Sequence, residues 1–256
     1  MKKEKLKALL AGLALFGVAA LGVSGAEPRK FLLLVDYLHN DLPGVTQSRD
    51  AALHFLATQV REEDEVALLV FTDVRGFRVL AELTPDHDLV RKKLSRMVDV
   101  PGRSGFGGSV VPAIVEIDAK TGQPITVPAI TTGVGSPFLG QRDYVFLSSM
   151  RGLAEGLAEV EGPKSIVYFS SGFPAWRYEA DRTFRERFDE MASAFGAAGA
   201  QVFVINAMGS RANMLRLAEK PDFVLRKFAS LAGGKYFDSV ADYKKIAEEI
   251  GRAAGL

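Results

Sequence analysis

The chain has 256 residues, of which 48% are hydrophobic and 25% are charged, values that are ordinary for a globular protein. Its 32 Lys and Arg residues against 31 Asp and Glu residues leave a formal charge of +1, so the composition gives no sign of nucleic-acid binding. The absence of cysteine excludes disulfides, thiolate metal sites and a cysteine nucleophile.

Residues 1–26 have the layout of a secretory signal peptide. Four lysines lie among residues 2–7, an uncharged apolar run covers residues 8–23, and small residues precede the predicted cleavage point after Ala26. An uncleaved membrane anchor is the alternative, although the run is short for a bilayer span, which needs about 20 residues. We therefore expect an exported protein, periplasmic or extracellular, with a mature domain at 27–256 that contacts a membrane only if the leader stays uncleaved.

The rest of the chain alternates short apolar runs with amphipathic segments of helical period. In chain order, the predicted elements are a strand at 31–36, a helix at 45–60, strands at 66–71 and 77–83, a helix capped by Thr84, a helix from Arg142, a strand at 165–172, a helix at 181–195, a strand at 201–206, a helix at 222–231, a strand at 236–237 and a helix capped by Ser239. Strands that are apolar throughout are typical of a parallel sheet covered on both faces. The alternation predicts an α/β fold: an open, mostly parallel, Rossmann-like sheet with helices on both faces and an antiparallel edge strand at 77–83.

A stretch at about 101–140 interrupts this alternation. Its entry is rich in glycine, and apolar runs at 114–118 and 125–127 flank a turn, which predicts a β-hairpin. Because the alternation resumes at Arg142, we interpret the stretch as a loop and hairpin inserted into a single domain.

The carboxyl ends of the predicted strands carry the candidate site. In open α/β sheets, ligands bind in the loops at these ends. The candidate partner-binding residues are Asp36, His39, Asn40, Asp41, Asp73, Ser170, Ser171, Phe173, Trp176 and Tyr178. Trp and Tyr are enriched at binding hot spots, which favours a binding role for Trp176 and Tyr178. The alternative for Phe173 and Trp176 is that they simply cover the end of the sheet.

The order of four pieces resembles the von Willebrand factor type A (VWA) domain. The pieces are the strand ending in Asp36, the strand at 66–71 after a helix, the segment at 163–174 (Pro-Lys-Ser-Ile-Val-Tyr-Phe-Ser-Ser-Gly-Phe-Pro) and the segment at 231–237 (Leu-Ala-Gly-Gly-Lys-Tyr-Phe). The last two look most like a divergent bacterial "VWFA-related" branch that is found in exported proteins. The resemblance covers roughly residues 30–256 and implies a VWA-like domain that binds other proteins.

VWA domains carry a metal-ion-dependent adhesion site, and the resemblance places its degenerate counterpart at Asp36. The family pattern is Asp-x-Ser-x-Ser after the first strand, with a Thr and an Asp from later loops, and these oxygen ligands suit Mg²⁺. Here Asp36 matches, but Leu38 and Asn40 stand at the two serine positions and Ser171 at the later aspartate. No cofactor is therefore expected, and bound Mg²⁺ is disfavoured.

The resulting prediction is an exported protein-binding or adhesion-type domain that is not an enzyme. Its expected partner is another protein or an envelope component. One alternative is a metal-dependent hydrolase that uses Asp36, His39 and Asp41, and a second is a structural subunit that packs with itself through the hairpin near Lys120. The histidines of the chain, His39 among them, are interpreted as solvent-exposed or capping side chains.

Overall fold

A computed structural model describes residues 27–72, 76–97, 139–207 and 221–255, with four short strands between 108 and 133. The strands, in chain order, are β1 (Lys30–Asp36), β2 (Glu65–Thr72), β3 (Gly76–Thr84), β4 (Gly108–Val110), β5 (Ile114–Ile117), β6 (Pro124–Val127), β7 (Thr131–Gly133), β8 (Lys164–Ser170), β9 (Ala200–Asn206) and β10 (Lys235–Phe237).

Seven α-helices lie in the part of the chain that the structure describes. They are α1 (Leu42–Thr58), α2 (His87–Ser95), α3 (Leu139–Leu157), α4 (Ala175–Ala180), α5 (Arg182–Ala197), α6 (Pro221–Leu231) and α7 (Tyr243–Ala253). A 3-10 turn at Val240–Asp242 leads into α7. No described helix combines the length and the apolar character needed to cross a membrane.

Six strands form the main sheet, in the order β10–β9–β8–β1–β2–β3. All neighbours are parallel except β3, which runs antiparallel to β2 at the edge. This arrangement confirms the predicted α/β, Rossmann-like sheet and its antiparallel edge strand. Two further antiparallel pairs, β4 with β7 and β5 with β6, lie in the stretch at 101–140, and the second confirms the predicted hairpin.

The four inner strands of the sheet, β9, β8, β1 and β2, are buried on both faces, which explains why they are mostly apolar. In β1, Leu32 and Leu34 belong to one core, whereas Leu33 and Val35 belong to the other, because successive side chains of a strand point to opposite faces. Helices α3, α5 and α6 cover the first face, and α1, α2 and α7 cover the second. Each face contributes a separate apolar core, so the strand ends remain the place where polar groups gather.

The helix starts differ from the predictions in ways that capping explains. Asp86, not Thr84, is the N-cap of α2: its carboxylate accepts from the N–H of Leu89, while the Thr84 hydroxyl accepts from the N–H of Asp86. Asp41 caps α1 in the same way, so this helix begins three residues earlier than predicted. Ser239 caps the 3-10 turn and not α7 itself.

The short helix α4 is absent from the prediction. Because it has only six residues, it is too short to show the periodic apolar stripe on which the other helix predictions rest. It begins after Pro174 and has no side-chain cap. It lies directly after β8 and carries Trp176 and Tyr178. The structure therefore converts part of a predicted loop into an ordered element beside the candidate site.

The amino end of β1 is tied to the loop before β2. Arg29 is buried, and its backbone N–H and its Nε donate to Oδ1 of Asp64 at 3.1 and 3.0 Å. The same guanidinium donates to the carbonyl of Gln59 at 3.0 Å. Such charge-assisted bonds in a buried setting fix the start of the central strand, at the end of the sheet opposite the candidate site.

Candidate functional site

Asp36 is the last residue of the central strand β1, and its carboxylate is fully buried. Its Oδ1 accepts from the backbone N–H groups of Leu38 and His39 at 2.9 and 3.1 Å. Its Oδ2 accepts from the hydroxyls of Tyr168 and Ser170, both at 2.7 Å, and lies 2.7 Å from Nδ1 of His39. Both oxygens of the carboxylate are therefore fully engaged by groups of the protein itself.

His39 lies between two carboxylates and two aromatic rings. Its Nδ1 contacts Asp36, and its Nε2 lies 3.7 Å from Oδ1 of Asp143 on α3, without a hydrogen bond. The rings of Phe146 and Phe173 meet the imidazole edge-on, at 5.3 and 4.2 Å between centroids. With only 10% of its side chain exposed, His39 is not the solvent-exposed or capping residue that the sequence suggested, because distant segments close over it.

The charges of this pair stabilise each other. Burial alone lowers the pKa of His39, but the carboxylates of Asp36 and Asp143 more than offset this effect and raise it to about 9. Burial alone raises the pKa of Asp36, yet the charge of His39 and the hydroxyl donors hold it below its usual value. At neutral pH the site therefore holds an imidazolium against a carboxylate, away from bulk water.

The ion pairs continue outward from His39 to the surface. The Nε of Arg177, on α4, donates to Oδ2 of Asp143 at 3.1 Å, and its NH1 lies 3.2 Å from Oδ2 of Asp181. The hydroxyl of Tyr144 donates to the same oxygen of Asp181 at 2.9 Å. This chain of alternating charges connects β1 to α3, α4 and the start of α5.

Asn40 joins the loop after β1 to the loop after β8. Its amide donates to the carbonyl of Phe169 at 3.1 Å, and its side-chain oxygen accepts from the N–H and the hydroxyl of Ser171. The Ser170 hydroxyl, which donates to Asp36, also accepts from the N–H of Gly172 at 3.0 Å. The polar groups that join these two loops thus satisfy one another.

The remaining predicted site residues differ in exposure. Phe173 and Tyr178 are buried, and the hydroxyl of Tyr178 donates to Asp189 at 2.8 Å. The Asp41 carboxylate accepts from the N–H of Gly44 at 2.8 Å and so does not join Asp36 and His39. Asp73 and the hairpin turn near Lys120 lie outside the described residues.

Trp176 is the exception among the predicted partner-binding residues. Its side chain is 55% exposed, more than any other large hydrophobic residue in the described part of the chain. The guanidinium of Arg177 lies 5.9 Å from the centre of its ring. Each of the two alternatives for the segment at 173–178 therefore applies to a different residue. Phe173 covers the end of the sheet, whereas Trp176 faces solvent.

The residues at the metal position do not fit a divalent cation in this arrangement. Mg²⁺ needs free oxygen ligands in near-octahedral geometry, whereas the Asp36 oxygens are occupied by protein donors. Leu38 offers no side-chain oxygen, and Asn40 and Ser171 bond to each other. Within the described ranges, no three His, Asp or Glu side chains are grouped to hold a metal ion.

Asp143, Phe146, Tyr168 and Arg177 are the site residues that the sequence analysis missed. Tyr168 and Ser170 are separated from Asp36 by 132 and 134 residues, and the order of residues around each gives no sign of the contact. The position of Tyr168 in a buried strand is the one available signal, since a buried phenol needs a hydrogen-bond partner.

Two solved structures match nearly their whole length with this chain. The "conserved hypothetical protein BatB" of Bacteroides thetaiotaomicron has a TM-score of 0.50 and 13% identity, over 89% of this chain and 99% of that one. An "aerotolerance-related membrane protein" of Bacteroides fragilis has a TM-score of 0.50 and 12% identity, over 88% and 98%. These likenesses show the fold alone. No family model and no curated protein matches the chain.

A third similar structure belongs to a much longer protein. The pilus adhesin SpaC of Lactobacillus rhamnosus GG has a TM-score of 0.49 and 10% identity, over 90% of this chain and 30% of that one. The match is too distant to support an argument about function.

Proposed function

We propose that this chain is an exported, VWA-like protein-binding or adhesion-type domain without catalytic activity, from a divergent bacterial VWFA-related branch. Its partner is another protein or an envelope component, bound through the loops at the carboxyl ends of the strands. The α/β fold, which two solved structures share over nearly their whole length, supports this proposal. The leader-like residues 1–26 support the export part.

The observation that carries the proposal is the exposure of Trp176. A tryptophan that is 55% exposed on a short helix leaves a large apolar surface in water. Here the side chain projects beside the carboxyl end of β8, on a helix that Arg177 anchors to α3 and α5. Exposed, rigidly held tryptophans are typical anchors of protein interfaces.

The polar groups nearby support binding rather than catalysis. A catalytic acid, base or nucleophile needs an atom that can reach a substrate. Asp36 and Ser170 are fully buried and bonded to protein groups, and the imidazole of His39 is enclosed by two carboxylates and two rings. The polar network therefore supports the loops around Trp176 as a rigid platform.

Photo-crosslinking at two exposed apolar positions tests this function. A photoreactive amino acid at position 176 is compared with one at position 89, because Leu89 is 39% exposed on the opposite face of the fold. We expect one envelope protein, identified by mass spectrometry, to be enriched at position 176 only. Trp176→Ala should then weaken its binding to the purified domain at least tenfold, as hot-spot residues do, while Leu89→Ala leaves it unchanged.

Two results would contradict the proposal. If no specific crosslinked product forms at position 176, or if both alanine variants weaken binding equally, Trp176 does not take part in partner binding. The export part has its own check, since the intact mass of the secreted protein should lack residues 1–26. A full-length mass in the membrane fraction would favour an uncleaved anchor instead.

A further inference from the structure

The network around His39 is a row of five charges that alternate in sign. They are supplied by Asp36, His39, Asp143, Arg177 and Asp181, with closest contacts of 2.7, 3.7, 3.1 and 3.2 Å along the row. The members come from β1, the loop after it, α3, α4 and the start of α5. Each cation therefore lies between two carboxylates that belong to different elements.

The inner part of this row is shielded from water. The exposed fractions of the side chains are 0% for Asp36, 10% for His39, 18% for Asp143 and 15% for Arg177. Charges in such surroundings are weakly screened, and removing the partner of a buried charge is strongly destabilising. Without His39, two carboxylates would face one another with no cation between them.

The helix α4 is attached to its neighbours in part through this row. It has only six residues and no side-chain cap, so it is too short to be stable by itself. Ala175 and Tyr178 pack inward, and the Tyr178 hydroxyl donates to Asp189 on α5. Arg177 supplies the polar attachment to Asp143 of α3 and to Asp181 at the start of α5. The carboxylate that receives Arg177 is the one that His39 faces, so the two cations share Asp143.

From this geometry we propose that His39 is the built-in cation of the site. Its imidazolium takes the place of a divalent metal beside Asp36 and, through Asp143 and Arg177, sets the position of α4 and of Trp176. The site is consequently complete without a metal ion. This inference concerns the free protein and holds whatever partner the domain binds, so its test is separate from the crosslinking experiment.

Trp176 offers a direct readout, because it is the only tryptophan of the 256 residues. The fluorescence anisotropy and acrylamide quenching of the mature protein report how firmly α4 is held. His39→Asn keeps a donor near Asp36 but removes the positive charge. We expect this variant to lose Trp176 anisotropy and to gain quenching at temperatures well below its melting point. The control is His54→Asn, since the imidazole of His54 meets the ring of Tyr243 edge-on, at 5.0 Å between centroids, far along α1 from the row of charges.

Chemical rescue separates a cation role from a general packing role. In His39→Gly, millimolar imidazole near neutral pH should restore the melting temperature and the anisotropy, whereas the wild type should not respond. Mg²⁺ and Mn²⁺ should leave the melting temperature of the wild type unchanged. If His39→Gly does not fold, Asp143→Asn provides the same anisotropy test, because it breaks the shared contact at a less buried position.

Three outcomes would overturn the inference. Stabilisation of the wild type by Mg²⁺ or Mn²⁺ that requires Asp36 would mean that a metal binds there. A lower melting temperature in His39→Asn with unchanged Trp176 anisotropy would mean that His39 stabilises the core without positioning α4. Equal effects of His39→Asn and His54→Asn would mean that the buried Asp36–His39 pair has no special role in positioning α4.

Discussion

The side-chain oxygen of Asn40 accepts two hydrogen bonds from Ser171, from its N–H at 2.6 Å and from its hydroxyl at 3.0 Å. The resemblance to VWA domains assigns both positions to metal ligands, yet here the two side chains satisfy each other. They connect the loops that follow β1 and β8, which are 131 residues apart in the chain. The departure from the family pattern thus coincides with a cross-link that joins the two loops directly.

Asn40→Ala should destabilise the fold by about 2–3 kcal/mol, because it leaves buried donors and an acceptor near Ser171 and Phe169 without partners. Urea denaturation measures the change. Ser95→Ala, which removes an exposed hydroxyl on α2, is the control and should stay within about 0.5 kcal/mol of the wild type. An equally small change for Asn40→Ala would mean that water replaces the lost bonds.

Stability should fall as the pH rises above neutral. The pKa of His39 is about 9 in the folded protein against 6.5 for an ordinary histidine, so the imidazolium stabilises the fold fully below pH 6.5. This contribution, on the order of 3 kcal/mol, is lost progressively as the pH passes through 9. The charged groups that face the ring are Asp36 from β1 and Asp143 from α3, and the pKa of Asp36 is held below its usual value by His39 and the hydroxyl donors.

Denaturation curves at several pH values between 6 and 10 measure this effect. His39→Asn is the matched control, since it has no imidazole to titrate and should lack the loss between pH 6.5 and 9. Tyr168, which bonds to Asp36, does not interfere because burial and the nearby carboxylate raise its pKa well above the usual value. Parallel pH profiles for the two proteins would show that another group is responsible.

Phe173 and Trp176 should respond differently to truncation. Phe173 is 3% exposed and packs against Phe146 and Phe184, so Phe173→Ala should cost about 3–5 kcal/mol of stability. Trp176→Ala removes a mostly exposed side chain and should cost less than about 1 kcal/mol. Thermal melting compares them directly. A loss of several kcal/mol for Trp176→Ala would assign that residue to the core.

Two helical glycines make a matched test of the packing near the site. A Cβ added at Gly44, in the first turn of α1, would lie 2.4 Å from the carbonyl oxygen of Ala207, whereas one at Gly196 in α5 would meet its nearest neighbour at 3.6 Å. Gly44→Ala should therefore destabilise by about 1–3 kcal/mol through overpacking. Gly196→Ala should be neutral or stabilising by up to about 1 kcal/mol, because alanine favours the helix.

Chemical denaturation distinguishes these two glycine variants. The reverse order of stabilities would mean that α1 moves away from the end of β9 without cost. In that case the loop after β1, including the capping residue Asp41, would be less firmly held than the hydrogen bonds around Asn40 suggest.

The strands and long helices are predictable because their signals are local. The apolar run at 31–36 is evident in the sequence, and so is the apolar stripe of α5, whose residues Phe184, Phe188, Met191 and Phe195 are buried. All six strands of the main sheet lie within two residues of their predicted bounds. Burial of one face of a helix, or of both faces of a strand, produces a local hydrophobic pattern in the sequence. This pattern can be recognised without knowing which element packs against it.

The environment of His39 produces no such pattern in the sequence. A histidine in the polar segment between Leu38 and Asn40 resembles a solvent-exposed loop residue, and its burial comes from Phe146 and Phe173, which follow more than 100 residues later. The pairing of Asn40 with Ser171 is hidden for the same reason. Long-range polar contacts depend on where the strands end in space, which periodicity does not specify.

Strand β1 runs from one end of the sheet to the other, so its first and last residues lie at opposite poles of the fold. The strand starts beside Arg29 and ends at Asp36, and at about 3.3 Å per residue its seven residues span roughly 20 Å. Whatever is joined upstream of Glu27, whether an uncleaved leader or an affinity tag, therefore attaches at the pole away from Trp176. A sensor chip coupled through that end would leave α4 pointing into the flowing solution, so immobilisation there suits the search for a partner.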